Sequence, residues 1–287
     1  MTNAKLKAKI SYEIRKGLHY LFYPFAIILC WHSPNGYIGY VMGFSLFMYA
    51  VDTLYVWVFM TEKTLTRNCQ VLVNSGVQMT FTVSETFQNR VSHGGFVYVC
   101  FPWISRYQYH AFSVFENKLK PEERCIFMSK TGDWTNKLYQ SLLVRDTKRP
   151  VWISGPFHSP FHYSEWYDRH ILIASGIGIT PVLSATQAHQ GTCRVNVIWA
   201  IRDPYLMEFI LSEMMKICLD QSWILIYYTG KKRLEQRLLN NLPSNIRIIT
   251  ERPKLHIIIP NIIYAVEYNV GKNTQTCYEA FYVLMNL

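Results

Sequence analysis

The chain has 287 residues, of which 50% are hydrophobic, and this is enough for two domains of ordinary size with buried cores. Its formal net charge of +10 indicates an acidic partner, which could be nucleic acid, an anionic membrane surface or a phosphorylated cofactor. The basic residues do not alternate with aromatic residues as they do in a single-strand binding groove, so no nucleic acid partner is expected.

Two apolar runs predict a transmembrane helical hairpin at the start of the chain. They extend over Gly17–Trp31 and Tyr37–Met60, and Ser33–Gly36 between them is a turn signal. The second run has 24 residues, enough to cross a hydrocarbon core of about 30 Å. No small-residue cleavage site follows the first run, so we do not expect a signal peptide. Positive charge lies outside both ends of the hairpin, which predicts that both termini are in the cytoplasm.

Three ionisable side chains lie within these apolar runs or at their ends, namely His19, His32 and Asp52. Such groups usually face a bundle interior or a cofactor, although histidines near helix ends can also reach headgroups and water. The histidines are 13 residues apart, or roughly 20 Å along a helix, which suits two haems stacked through a bilayer. Their azimuths differ by roughly 140° on an ideal helix. Pro24 lies between them and supplies a cause for the bend that a shared role requires.

The pattern of the remaining chain changes near Pro150. From Gln70 to Tyr109, short β-type runs such as Met79–Val83 and Phe96–Phe101 are broken by turn signals, which predicts a small antiparallel barrel. After Pro150, apolar strands alternate with helical patterns, which predicts a parallel sheet with flanking helices. The predicted strands of this sheet are Ile171–Ala174, Val195–Ile201 and Ile224–Tyr228, and the clearest helix is Pro204–Leu219.

A glycine turn follows the first of these strands. A buried strand is predicted to end at Ser175, and Gly176 and Gly178 remove side chains where a backbone must approach a ligand. Thr180 can cap a helix, and Pro181 fits the first helical turn. The free N–H groups and the helix dipole would form a site for pyrophosphate, although a glycine-rich bend without a ligand has the same local pattern.

The next strand ends with a cation, Arg202, at the edge of the sheet where open α/β sheets bind ligands. An arginine there suits a ribose 2'-phosphate and therefore NADPH. The alternative is a solvated loop arginine that pairs with Asp203.

Five motifs resemble those of the flavocytochrome NADPH oxidases and their relatives, the ferric-chelate reductases. Tyr109–Ser113 resembles the flavin motif His-Pro-Phe-Thr/Ser, and Gly132–Leu138 matches the segment Gly-Asp-Trp-Thr-x-x-Leu. Gly155–Phe157, Gly176–Pro181 and Trp199–Asp203 follow in the family's order and approximate spacing. The resemblance covers nearly all of this chain.

The resemblance implies FAD on the barrel and NADPH on the α/β domain. The Ser113 hydroxyl would bond the flavin nitrogen that receives the hydride, and the Gly132–Thr135 turn would offer N–H donors to the FAD pyrophosphate. His19 and His32 match the family's histidine pair and imply b-type haem. No catalytic acid, base or nucleophile is implied. The implied cofactor-binding residues are His110, Ala111, Phe112, Ser113, Gly132, Asp133, Trp134, Thr135, Gly176, Gly178, Ile179, Thr180, Pro181 and Arg202, and the implied metal ligands are His19 and His32.

The sequence also departs from the family pattern. Asp52 replaces a glutamate, Ala111 a proline and His158 a glycine, and Ser129 stands where an arginine near the FAD phosphates is expected, although Lys130 offers a substitute. The family takes the second ligand of each haem from an earlier helix, which this chain lacks, and its Cys-Gly-Pro segment is missing. The resemblance therefore implies a truncated, C-terminal part of a family member.

We therefore expect a multidomain integral membrane protein with cytoplasmic nucleotide-binding domains. The predicted parts are a transmembrane helical hairpin (1–62), an antiparallel β-barrel FAD domain of ferredoxin-reductase type (63–150) and an NADPH-binding α/β domain with a parallel sheet (151–287). The expected function is electron transfer from NADPH through FAD and b-type haem across the lipid bilayer to oxygen, giving superoxide. The alternatives are a ferric-chelate reductase, an inert partner of another membrane chain, and a membrane-anchored flavin diaphorase without haem.

Overall fold

The chain divides into two compact units, Met1–Thr61 and Glu62–Leu287. The predicted turn residues Ser33–Asn35, Asn74 and His93 and the end of the chain, Thr276–Leu287, lie outside the described residues. The computed structural model describes residues 12–32, 36–72, 75–90, 94–117, 120–144, 148–189, 192, 194–214, 223–232, 234 and 242–268.

In the described part of the first unit, the helices are α1 (Tyr12–Tyr20), α2 (Phe22–His32) and α3 (Tyr37–Phe59). The first predicted span is therefore divided at Leu21, whose N–H bonds the carbonyl of Leu18 at 3.2 Å instead of continuing the α-helical pattern. Pro24 explains this break, because a proline has no N–H for the carbonyl four residues earlier and its ring crowds that carbonyl. The interruption between His19 and His32 thus lies where the proline requires it.

Helices α2 and α3 contact each other. The Tyr23 hydroxyl donates to the Tyr49 hydroxyl at 3.1 Å, and the backbone at Gly39 approaches Cys30. Tyr23 precedes Cys30 in α2, whereas its partner Tyr49 follows Gly39 in α3, so the two helices are antiparallel. Within the described residues, Met42–Phe59 is the one helical stretch long and apolar enough to cross a membrane. The transmembrane hairpin therefore stays a prediction, which one helix of the described residues meets in length and composition.

The second unit begins with a closed barrel of six strands, in which all the recorded strand pairs are antiparallel. This arrangement confirms the predicted barrel. Its interior is filled by apolar side chains that alternate along the strands, including Met79, Phe81, Val97 and Ile126. In the order β1-β2-β5-β4-β3-β6, the strands are β1 (Thr61–Leu72), β2 (Gly76–Thr82), β5 (Glu123–Ser129), β4 (His110–Glu116), β3 (Phe96–Cys100) and β6 (Pro150–Phe157).

Two helices accompany the barrel strands. A four-residue helix, α4 (Glu85–Gln88), follows β2, and its amide at Phe87 is capped by the Ser84 hydroxyl. The longer α5 (Asp133–Val144) follows β5 and buries Trp134 and Leu138 against the barrel. The sequence pattern changes at Pro150, but the last barrel strand, β6, begins there and ends at Phe157.

A four-stranded sheet follows the barrel, and all its neighbouring strands are parallel. This confirms the predicted parallel sheet. Its strand order is β10-β9-β8-β7, and a 3-10 helix at Pro160–Trp166 precedes it. The elements are β7 (Arg169–Ser175), α6 (Ile179–Ala188), β8 (Arg194–Ile201), α7 (Pro204–Met214), β9 (Ile224–Tyr228), β10 (Ile246–Ile249) and α8 (Leu255–Tyr268).

Strand β7 differs from its prediction as a buried strand. It ends at Ser175 as predicted, but among the described strands it pairs with β8 alone and lies at an edge of the sheet. Ile173 in its centre is 47% exposed. An apolar run alone does not tell an edge strand from a central one, since edge position depends on which strands pair.

The barrel has its own core, and a part of its surface also packs into the hydrophobic core of the parallel sheet. Phe115 and Phe127 of the barrel belong to the same cluster of buried residues as Val182 of α6 and Phe209 of α7. The rings of Phe127 and Phe209 lie 5.4 Å apart and are stacked. As a result, α6 packs directly on the barrel strand β4.

We predict that Gly230→Ala destabilises this fold. A Cβ at residue 230 would overlap the carbonyl oxygen of Arg202 and the hydroxyl of Tyr228. Overpacking of this kind costs about 1–3 kcal/mol, which would lower Tm by roughly 3–10 °C in thermal unfolding. Gly178→Ala is the control, because nothing lies within 4 Å of a Cβ at residue 178. Equal melting temperatures of the two variants would contradict the prediction.

Candidate functional site

Strand β4 carries the first predicted flavin motif, and its side chains alternate between two faces. His110 and Phe112 share a face with Val114, which is buried in the barrel core. Ala111 and Ser113 share the opposite face with Phe115, which belongs to the core shared with the sheet. The four motif residues therefore lie on two opposite faces of β4. One face of a flat ring cannot stack against all four side chains.

His110 meets the second predicted motif through Trp134. Their ring centroids are 4.2 Å apart, and Trp134 also stacks on Phe101 at 5.4 Å and on Phe112 at 6.1 Å. Two motifs on β4 and α5, separate in the sequence, thus form one aromatic cluster. Its members are His110, Phe112, Trp134 and Phe101, and only Phe101 lay outside the motifs.

Two polar atoms near this cluster are buried without a hydrogen-bond partner among the described residues, the indole Nε1 of Trp134 and the side-chain Oε1 of Gln108. A buried donor or acceptor without a partner costs about 1–3 kcal/mol. A planar, polar ligand at the cluster would relieve that cost, so both atoms fit a flavin cofactor. Gln108 lies in an irregular loop between β3 and β4, where no sequence pattern singled it out.

The side chain before His110 is a neutral phenol. Burial raises the pKa of Tyr109, and the nearby thiol of Cys100 raises it further. Burial also raises the pKa of Cys100 to about 11, and its thiol donates to the carbonyl of Ser105 at 3.2 Å. Neither group supplies an anion at physiological pH, so the aromatic cluster has no negative charge from these two neighbours.

The Gly132–Thr135 turn differs in part from its prediction as an N–H donor. The Gly132 amide already donates to the Thr135 hydroxyl at 2.9 Å, and that hydroxyl donates back to the Gly132 carbonyl at 3.0 Å. Helix α5 begins at Asp133, so its first-turn amides, rather than that of Gly132, are left for a ligand. Lys130, the proposed substitute for the missing arginine, holds its ammonium group 4.4 Å from the ring centre of Tyr139.

The glycine turn between β7 and α6 is open. Gly176 has φ = 52°, a left-handed conformation that favours glycine, and nothing lies within 4 Å of a Cβ at Gly176 or Gly178. The indole N–H of Trp199 donates to the Gly176 carbonyl at 2.9 Å and fixes the turn. An anion therefore has free backbone access at the start of α6.

The start of α6 confirms one prediction and corrects another. Pro181 lies in the first turn, as predicted. Thr180 does not cap the helix, because α6 begins one residue before it, at Ile179, and its buried hydroxyl donates to the Ile177 carbonyl at 3.0 Å. The residue before α6 is Gly178, the last of a 3-10 turn (Gly176–Gly178), and the Ile179 amide already donates to the carbonyls of Gly176 and Ile177.

Arg202 follows the carboxyl end of β8, and its side chain is exposed. The alternative pairing with Asp203 is wrong for the described residues. The Asp203 carboxylate instead accepts the Tyr205 amide at 3.0 Å, at the start of α7, and the hydroxyl of Ser75. The Arg202 guanidinium is therefore available to an anionic ligand.

A cavity of about 670 Å³ lies at the same edge of the sheet, after β9 and β10. Two lysines and one arginine line it together with one carboxylate, Glu251. The Tyr228 hydroxyl donates to the Lys232 carbonyl at 2.8 Å and so holds the loop that carries the lysines. No sequence pattern placed these residues at a site. The cationic residues of the cavity are Lys231, Lys232 and Arg252.

The predicted haem ligands lie in the first unit. His19 is in the last turn of α1, His32 is the last residue of α2, and both are exposed. Among the described residues, no group of three or more histidine, cysteine, aspartate or glutamate side chains could hold a metal ion. The role of His19 and His32 stays a prediction.

We predict that Gly178→Ala weakens dinucleotide binding and leaves the fold intact. The added methyl group would point into the space that a phosphate needs, since Gly178 is open and has φ = −60°. The Kd for NADPH, measured by titration calorimetry, should rise by about tenfold or more. Gly43→Ala is the control. Nothing lies within 4 Å of a Cβ at this position of α3, and the Kd should stay unchanged. An unchanged Kd for Gly178→Ala would contradict a phosphate site at this turn.

Residues 61–197 match the family described as FAD-binding domain. The chain is 25% identical over 199 residues to ferric reduction oxidase 2 of Arabidopsis thaliana, covering 66% of this chain and 27% of that protein. It is 25% identical over 188 residues to NADPH oxidase 5 of Homo sapiens, covering 45% and 25%. The chain thus spans only about a quarter of the length of these relatives.

Among solved structures, a ferredoxin NADP+ reductase from Neisseria gonorrhoeae with bound FAD and NADP is similar with a TM-score of 0.47 and 14% identity, covering 66% of this chain and 84% of that one. A flavohemoglobin from Malassezia yamatoensis has a TM-score of 0.49 and 19% identity, covering 89% and 71%. The sequence matches confirm the resemblance carried by the motifs. The chain is thus similar to NADPH oxidases and ferric reductases, and it contains the match to an FAD-binding domain that this resemblance implies.

Proposed function

We propose that this chain is the part of a membrane oxidoreductase that passes electrons from NADPH to FAD and onward to haem and oxygen. FAD, when bound, accepts a hydride from NADPH and releases its two electrons one at a time. The observation that carries the proposal is the packing of α6 on β4. The open glycine turn begins α6 and the flavin motif begins β4, so one packed pair of elements holds both candidate binding segments.

For the flavin, the aromatic cluster supplies a wall and the Trp134 N–H supplies a donor. The face of β4 that carries Ser113 lies towards the core shared with α6. The Ser113 hydroxyl would bond the flavin nitrogen that receives the hydride. The first amides of α5, next to Lys130, would hold the pyrophosphate of FAD.

For NADPH, the open glycine turn Gly176–Gly178, which leads into α6, would hold the pyrophosphate. Arg202 and the cationic cavity, with Lys231 and Lys232, would hold the 2'-phosphate. The backbones of these two sites meet at Gly230, which has no room for a side chain against Arg202. The positive net charge of the chain is consistent with such a ligand.

In the first unit, α2 and α3 would form the membrane hairpin, with the nucleotide-binding elements in the cytoplasm. His19 and His32 would each supply one ligand to a haem, and another membrane chain or segment would supply the second. Oxygen would be the acceptor and superoxide the product. The break at Leu21 allows the two histidines azimuths that a straight helix would not give.

We predict that Arg202→Ala discriminates between the two reduced nicotinamide nucleotides. The full chain in lipid nanodiscs, loaded with FAD, should reduce its flavin with NADPH under anaerobic conditions. Loss of a charge-assisted bond of about 1.5–3 kcal/mol should raise KM for NADPH by roughly 10- to 100-fold, with little change for NADH. Arg247→Ala, an exposed arginine on β10, is the control and should change neither value. Equal effects of Arg202→Ala on both nucleotides would count against a 2'-phosphate contact.

We predict that His32→Leu removes one of the two b-type haems from the purified chain. An imidazole ligand is replaced by an apolar side chain of similar size, so the Soret band and the paired α and β bands should lose roughly half of their intensity. His256→Leu, an exposed histidine of α8, should keep them. An unchanged spectrum of His32→Leu would remove this assignment. Wild-type protein with flavin absorbance and no haem bands would support the diaphorase, and protein with neither would support the inert partner.

A further inference from the structure

Gln187 joins the two elements that carry the candidate cofactor segments. It lies near the end of α6, its side chain is buried, and its carboxamide reaches the backbone of Glu116 at the end of β4. The Glu116 amide donates to Gln187 Oε1 at 3.0 Å, and Gln187 Nε2 donates to the Glu116 carbonyl at 3.2 Å. The side chain thus uses one donor and one acceptor, as a peptide group of a neighbouring strand would.

The strand pairing explains why Glu116 needs this partner. On the β5 side the register pairs Phe115 with Cys125, and the Asn117 amide donates to the Glu123 carbonyl at 3.3 Å. Alternate residues of an antiparallel strand turn their backbone groups to opposite sides, so the groups of Glu116 face away from β5.

On the opposite side of β4 the partners change along the strand. The described pairing with β3 ends at Ser113, and the Val114 amide donates to the carbonyl of Gly95 at 3.1 Å. Two residues further, on the same side, Gln187 takes the place of a strand. The Gln187 side chain of α6 therefore completes the backbone hydrogen bonding at the end of β4.

A small tilt of α6 at the Gln187 contact displaces the glycine turn at the other end of the helix. Nine residues separate Gly178 from Gln187, or about 13 Å of helix, so a tilt of roughly 5° at Gln187 moves the turn by about 1 Å. Apolar contacts such as that of Val182 hold α6 on the barrel, but they are not directional. The paired hydrogen bonds of Gln187 are directional and fix the rotation of α6 against β4.

We propose that Gln187 is a positioning residue for hydride transfer. The carboxamide sets the alignment of α6 with β4 and therefore the alignment of the nicotinamide with the flavin. This rests on the proposed function, in which a hydride leaves C4 of the nicotinamide for the flavin ring. NADPH then becomes NADP+ by losing two electrons and a proton, and the flavin gains them. A displacement of 1 Å in such a geometry can cost about a hundredfold in rate.

We predict that Gln187→Met loosens the end of β4 in the cofactor-free chain. Methionine keeps the length and volume of the side chain but offers no N–H or carbonyl group. Hydrogen–deuterium exchange of residues 114–117 should become at least about tenfold faster. Thr186→Val is the matched control, because Thr186 is buried on the same helix and its hydroxyl bonds only within it, to the Val182 carbonyl at 2.8 Å. Unchanged exchange in Gln187→Met would overturn the proposal.

The second measurement is stopped-flow reduction of bound FAD by saturating NADPH, with the full chain in nanodiscs. Gln187→Met should slow this step by about tenfold or more, with Kd for NADPH and FAD content within about threefold of wild type. If Gln187→Met fails to fold, Gln187→Asn replaces it. Asparagine is too short to reach Glu116, and water can enter the neighbouring cavity of about 280 Å³, lined in part by Glu116 and Ser184.

The outcomes separate the two proposals. Wild-type rates in the Gln187 variants would overturn the positioning role, as would an equal slowing in Thr186→Val. A wild-type chain that binds FAD and NADPH but does not reduce the flavin would overturn the proposed function itself. Slow reduction in the Gln187 variants alone, with normal nucleotide affinity, supports the positioning role.

Discussion

The packing of α6 on β4 is the contact on which the rest of the second unit depends. It belongs to the hydrophobic core of the parallel sheet, in which Phe115 of the barrel packs together with Val182 and Phe209. Each cofactor segment lies at the beginning of one of these two elements, so the core that stabilises the fold also sets the relation between the segments. Substitutions in this buried contact are therefore expected to change both the stability of the second unit and the relation between the two segments.

Much of this architecture could be predicted from local patterns. The period-two strands of the barrel, the apolar strands of the sheet and the glycine turn each depend on side chains within a few residues of one another. Gly176 illustrates this, because its φ is left-handed and a glycine at the end of a strand indicates such a turn. Pro24 likewise predicted an interruption of its helix, which the structure places at Leu21.

The remaining features depend on partners that are distant in the sequence. Whether β7 is an edge strand is decided by its neighbours, and Thr180 lost its predicted capping role because the helix begins one residue earlier, at Ile179. Gln187 belongs to no motif, and its contact with Glu116 depends on where the neighbouring strand β3 stops pairing with β4. Short strands such as β10, with four residues, also give too weak a period to be recognised.

The buried indole of Trp134 has a consequence for the life of the protein in a cell. Its N–H group has no acceptor among the described residues, and an unsatisfied buried donor lowers the stability of the folded chain. A planar ligand that supplies an acceptor removes the cost, and by mass action it raises the folded fraction of the chain. Quality-control proteases act on the unfolded fraction, so the vitamin supply that feeds the cofactor pool would help to set how much of this protein accumulates.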